Sequence, residues 1–228
     1  MTNGVVTHWP ENTPPPPFVT IAASLLCVFA LLLYSAVDPI VQQAMIDLGG
    51  MRPSTLSVQL RQGFAAWWSL SSLTLVSALF IHANWLHLLG NLVYLWVFGI
   101  KVERRIGAAG MLFVFLLGGA LSNAIVALRL PQLDTPIIGA SGAVSAVVGA
   151  YLGLFPGRKI GLYLPLGLYL QFARVPALLV IGSWFTLQLL YTVFGPINGA
   201  VAWWTHLAGF ALGLSFALII RAVAQIRL

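Results

Sequence analysis

Six apolar runs of roughly 17–22 residues dominate this sequence, each long enough to cross a hydrocarbon layer of about 30 Å as a helix. They lie at about 18–37, 84–101, 110–128, 139–155, 175–194 and 204–221. Runs of this kind leave a chain few choices. Lipid offers the backbone no hydrogen bonds, so every N–H and C=O must be paired internally, in helices or in a closed barrel. The two-residue alternation of barrel strands is absent. The expected fold is an all-α polytopic membrane protein with six transmembrane helices. Composition agrees: 60% of the 228 residues are hydrophobic and 7% are charged, where a soluble domain carries about a quarter. The net charge of +6 reflects a scarcity of acids rather than a basic patch, so no nucleic-acid partner is expected. The single cysteine, Cys27, cannot form a disulfide within this sequence.

Residues 1–17 are expected to form a short cytoplasmic tail, 18–221 the membrane domain and 222–228 a second tail. The first 17 residues contain no Lys or Arg, which fits neither a secretory nor a transit peptide. "TPPPP" at 13–17 is expected to be an extended spacer. The segment 38–83 is mixed, with Asp38, Asp47, Arg52 and Arg61 in its first half and Trp67–Trp68 in its second. It is expected to be a large loop lying partly in the membrane interface, where Trp is favoured. The rival reading is a seventh span at about 63–82. Eight of the eleven basic residues follow spans two, four and six, which puts both termini in the cytoplasm.

With that topology, spans two, four and six run in the same direction, and their first turns lie at one depth. Those turns carry His87 and Asn91, then Ser141, then His206. Polar residues within spans are costly and are candidates for function. Each has a bland alternative. Ser141 sits in "GASGA", which also reads as a close-packing surface. His206 in "WWTHLAG" also reads as an interfacial histidine, and Asn91 as an interhelical hydrogen-bond partner. None of these alternatives accounts for a shared depth.

The chemistry available at that depth is acyl transfer. A serine hydroxyl becomes a nucleophile when a base takes its proton, and His206 can be that base. A tetrahedral intermediate needs donors for its oxyanion, which the Asn91 amide, the His87 ring and the first N–H groups of span four can offer. No acid is placed to orient His206, so a Ser–His dyad is expected, with no metal and no cofactor. Small residues would let the helices meet: Gly209 and Gly213 in span six, and Gly142, Ala146, Gly149 and Gly153 in span four.

Three motifs carry a family resemblance: "HANWLHLLGN" at 82–91, "GASG" at 139–142 and "HLAGFALG" at 206–213. Together, in this order, they resemble the rhomboid family of intramembrane serine proteases over about residues 18–221. "FGIKVERRIG" at 98–107 also resembles the loop that follows that family's second helix, and is expected to be structural. The resemblance implies a six-helix rhomboid-like bundle with Ser141 as nucleophile and His206 as base. It implies an oxyanion hole from Asn91, His87 and the Ser141 N–H, with His82, Gly139, Gly142 and Gly209 supporting. The implied substrates are single-span transmembrane proteins cleaved in or beside the bilayer. The implied location is a bacterial cytoplasmic membrane, with the site toward the outer face. Oligomeric state is left open.

One departure concerns the base. Ser145 stands where many members carry an aromatic ring that packs on the histidine. Another concerns the first loop, where "LTLVS" at 73–77 replaces an expected Trp–Arg pair. Three other readings compete: an inactive relative that binds membrane clients, a small-solute transporter, and a zinc protease. The transporter should show inverted repeats, and none is visible. The zinc protease lacks HExxH.

Overall fold

A computed structural model describes residues 15–63, 69–166, 169–194 and 197–226, with side chains described except at 162–166, 191–192, 197–202 and 224–226. Residues 1–14, with Thr13 and Pro14 of the "TPPPP" spacer, Trp67–Trp68 and residues 227–228 lie outside the described residues. The first span is α1, Phe18–Ala36. The first loop holds three short helices, α2 (Pro39–Gly49), α3 (Pro53–Arg61) and α4 (Leu70–Ser77). Asp38 caps α2 by accepting from the N–H groups of Ile40 and Val41, with Pro39 at the first helical position. The eight residues of α4 reach only roughly 12 Å, so among the described residues the rival seventh span does not form.

Spans two and three make one long apolar stretch, Trp85–Arg129. It comprises α5 (Trp85–Tyr94), a π-helical turn (Leu95–Gly99), α6 (Ile100–Leu112), a second π-helical turn (Phe113–Leu117) and α7 (Gly118–Arg129). The direction reverses at Gly107, whose φ of 76° and ψ of 170° lie outside the helical region. Only glycine takes that backbone cheaply. Each half is then about 22 residues, roughly 33 Å, and spans the bilayer. Residues 98–106 are thus helical, correcting the expected loop at 98–107.

Span four is α8 (Ser141–Leu154), span five α9 (Ala177–Phe194) and span six α10 (Ile197–Ile226). The last helix passes 221, where a tail was expected to begin. Between α8 and α9 lies an element that hydrophobic runs do not reveal. An antiparallel hairpin of β1 (Lys159–Leu166) and β2 (Tyr169–Pro176) pairs Lys159 with Pro176 and Leu166 with Tyr169.

The centre of the bundle is α8, whose residues from Gly142 to Tyr151 are all buried. Its most extensive partner is α10. The contact is a meeting of backbones: a Cβ added at Gly209 would overlap the Gly142 carbonyl, and one at Gly213 the Ala146 carbonyl. Gly149 answers from α8, facing the Phe210 carbonyl, and a Cβ at Gly153 would come within 2.6 Å of Ala217 Cβ. In lipid, helices gain from such packing because no hydrophobic drive pushes them together. At 14 residues α8 reaches roughly 21 Å, short of the ~30 Å apolar layer.

Glu103 ties α6 to α1. Pro17 offers no side-chain cap to α1. The buried Glu103 carboxylate instead accepts from Val19 N–H (2.7 Å), Thr20 N–H (2.9 Å) and the Thr20 hydroxyl (2.8 Å). A carboxylate at a helix N-terminus also suits the helix dipole. Glu103→Ala leaves two backbone donors unpaired and should cost about 1–3 kcal/mol. The midpoint of thermal unfolding in detergent should fall, with Glu103→Gln in between; an unchanged midpoint for Glu103→Ala would overturn this role.

Candidate active site

The loop before α8 determines where Ser141 stands. Met51 and Ile137 exchange backbone hydrogen bonds of 2.9 and 2.8 Å, and Ser54 N–H donates to Leu133 O at 2.9 Å. Arg52 reaches from the start of α3 to Asp47 at 2.8 Å and to the Asp134 carboxylate at 3.3 Å, and also donates to the Asp134 carbonyl. The Ser54 hydroxyl, and then the Arg52 charge, hold the Asp134 carboxyl below its ordinary range. The first loop therefore clamps the approach to α8.

His82 holds the last step of that approach. It is fully buried, and its Nε2 accepts from Ala140 N–H at 3.4 Å while Nδ1 lies 3.2 Å from Phe80 O. Both contacts are met by the neutral tautomer that carries its proton on Nδ1. The His82 ring does not line the cavity itself but backs the His87 ring that does, the two ring centres being 5.1 Å apart. Gly139 N–H is bound to Ala78 O at 2.8 Å. Ser141 is then the first residue of α8, so the N–H groups of its opening turn are left without helical partners.

Helix α5 brings two further groups. Asn84 caps it by accepting from His87 N–H at 2.9 Å, which fixes His87 in the first turn. Asn91, one turn later, donates from Nδ2 to His87 O at 2.9 Å. An amide NH2 carries two hydrogens, so this bond uses one of them. Gly139 fits between this turn and α8 because it is glycine. Its φ is +119°, and an added Cβ would lie 2.7–2.8 Å from the His87 ring.

Helix α10 brings His206, whose Nδ1 lies 2.8 Å from the Gln188 Oε1 of α9. The amide oxygen can only accept, so Nδ1 carries the proton and Nε2 has the lone pair. Trp184 lies 6.1 Å from the His206 ring at a shallow 33° tilt, and Trp203 meets it edge-on at 5.9 Å. The absent ring at 145 is thus replaced from two other positions. The Ser145 hydroxyl turns back into its own helix, donating to Ser141 O at 2.7 Å.

Ser141, His206, His87 and Asn91 line one cavity of about 840 Å³. Three separate helices bring these four groups together. Among the described residues no hydrogen bond joins the Ser141 and His206 side chains in this state. The set contains a hydroxyl, an imidazole of fixed tautomer and several N–H donors, the groups acyl transfer requires. Gln188 and Asn84 were not picked out from the sequence. A lone glutamine in the apolar "WFTLQLL" was the signal for the first. An Asn just ahead of the helical run was the signal for the second.

The family profile described as Rhomboid domain matches residues 66–223. The chain is 32% identical over 203 residues to Rhomboid protease GlpG of Klebsiella pneumoniae, covering 88% of this chain and 62% of that one. It is 40% identical over 88 residues to the chloroplastic Rhomboid-like protein 11 of Arabidopsis thaliana, covering 39% of this chain and 29% of that protein. To the mitochondrial Rhomboid protein 1 of Saccharomyces cerevisiae it is 32% identical over 98 residues, covering 41% and 28%. The chain therefore spans less than two thirds of the length of each of these relatives. It belongs to the rhomboid family and is an integral membrane protein.

Gly139→Ala combines a strained left-handed backbone with a collision at His87. The variant should lose on the order of 1–3 kcal/mol, read as a lower thermal midpoint in detergent. Wild-type stability would show that neither constraint operates.

Proposed function

We propose that this chain is an intramembrane serine endopeptidase acting on single-span transmembrane proteins. The observation that carries the reading is the gathering of Ser141, His206, His87 and Asn91, from three helices, around one cavity. In this reading His206 Nε2 takes the Ser141 proton as Oγ attacks the scissile carbonyl. The oxyanion is met by the second Asn91 amide hydrogen, the His87 ring and the Ser141 N–H. His206 then returns the proton to the leaving amine, and water resolves the acyl-enzyme by the same route. The shortness of α8 supports a sunken site: a helix of roughly 21 Å that ends at one apolar boundary starts about 9 Å inside the other. Loop charges support cytoplasmic termini and a site opening toward the outer face of a bacterial cytoplasmic membrane.

A fluorophosphonate probe should label the wild-type chain and not Ser141→Ala, and both Ser141→Ala and His206→Ala should fail to cut a reporter span. Asn91→Ala should be slower by about 10²–10³. Labelling of Ser141→Ala would sink the nucleophile assignment. Absence of labelling in the wild type would favour the inactive, client-binding reading.

Gln188 is a positioning residue in this scheme, because its oxygen holds the Nδ1 proton and so keeps Nε2 basic. Gln188→Leu should lower kcat about tenfold with KM little changed, the effect of one lost buried hydrogen bond. Gln188→Glu keeps the acceptor and adds a charge that favours the imidazolium. It should retain activity while the acid limb of the pH–rate profile moves to higher pH. A Gln188→Leu enzyme with unchanged kcat, or a Gln188→Glu enzyme with an unmoved acid limb, would remove Gln188 from the mechanism.

A further inference from the structure

At the opposite end of α8, about ten residues or roughly 15 Å from Ser141, lies a second cavity of about 390 Å³. Lys101, Arg104 and Arg105 of α6 line it together with Arg158 and Lys159 at the start of the hairpin. Among the described residues none of these five cations has an acidic partner. The nearby carboxylate, Glu103, is already bound to the start of α1. Five like charges around one cavity repel one another, and an anion relieves that cost. Basic residues on cytoplasmic loops are ordinary in membrane proteins, and by themselves they would be scattered side chains in water.

Tyr151 makes this cavity different. It forms part of the same lining, is 1% exposed, and its hydroxyl is enclosed without a hydrogen-bond partner. The Lys101 ammonium stands 6.0 Å from the centre of its ring. Buried hydroxyls are nearly always paired, and an unpaired one is costly. A phosphate oxygen entering between the cations would give the hydroxyl an acceptor. The hairpin that supplies Lys159 also exposes Tyr169, Leu170 and Phe172 at its far end. A hairpin that borders a basic cavity at one end and exposes apolar side chains at the other suits the headgroup region of a membrane.

We propose that this cavity binds a phosphate ester, with the headgroup of an anionic phospholipid as its source. The Arg guanidinium forks fit phosphate oxygens in pairs, and the Tyr151 hydroxyl donates to one of them.

The test is native mass spectrometry of the detergent-solubilised full chain, titrated with phosphatidylglycerol, phosphatidylcholine or inorganic phosphate. Phosphatidylglycerol should be retained over phosphatidylcholine. The double variant Arg104→Gln/Arg158→Gln should weaken that retention by on the order of tenfold. Tyr151→Phe should weaken it several-fold, and the charge-matched control Arg52→Gln/Arg61→Gln should not. Retention of inorganic phosphate without preference between the lipids, lost in Arg104→Gln/Arg158→Gln and weakened in Tyr151→Phe, would support the site with a soluble phosphate ester as its source. Equal loss in the charge-matched control, or unchanged binding in both Tyr151→Phe and Arg104→Gln/Arg158→Gln, would overturn the proposal.

Discussion

The structure depends on the backbone contact between α8 and α10. Gly209 and Gly213 place their α-carbons against the Gly142 and Ala146 carbonyls, and Gly149 does the same for Phe210. No side chain intervenes at these points. Helices that meet this closely gain dispersion and weak Cα–H···O contacts along their length, and their relative depth is fixed to within a turn. That matters because Ser141 directly precedes Gly142, and His206 stands one turn before Gly209. A methyl group at Gly209 would push apart the two turns that carry the polar groups. Packing and site assembly are therefore one constraint here, not two.

The same contact explains why α8 can be short. A helix buried on all sides need not reach both faces of the bilayer, because neighbouring helices and the loop above complete the layer. The loop that fills the space over Ser141 is irregular backbone, which lipid would not tolerate. It is paired residue by residue instead: Ser54 with Leu133, Met51 with Ile137, Ala78 with Gly139, His82 with Ala140. The first loop supplies that pairing from one side, through Met51, Ser54, Ala78 and His82. Their segment is polar in its first half because it is a scaffold for backbone, not a span.

Much of this was legible in the sequence because lipid imposes length and polarity rules on single segments. The six apolar runs correspond to six apolar helical segments, and the polar residues at the starts of spans two, four and six do line one cavity. What escaped depends on pairing between segments. The β1–β2 hairpin lies in a stretch whose apolar residues alternate weakly around Gly161, Pro165 and Arg174, so no single period stands out. Residues 98–106 read as a loop because Lys101, Glu103, Arg104 and Arg105 break the apolar run. They remain helical because Glu103 is spent on α1 and the cations face outward. Asn84 and Gln188 are ordinary polar letters until the helix start and the facing helix are known.

His206 shows how an imidazole can be held when a local device is missing. A ring one turn after Ser141 would have steadied the imidazole from within α8. With Ser145 there, the hydroxyl returns to its own backbone and contributes nothing to His206. The imidazole is held instead by Trp184 on one face, Trp203 at an edge and Gln188 at Nδ1. These contacts differ in kind. Rings restrict where the imidazole lies, but an oxygen at Nδ1 also decides which nitrogen is basic. Two of the three supports sit on α9, which packs less extensively on the bundle than α10 does. The orientation of the imidazole is therefore tied to the position of α9, and a displacement of that helix would release both the ring and the proton at once.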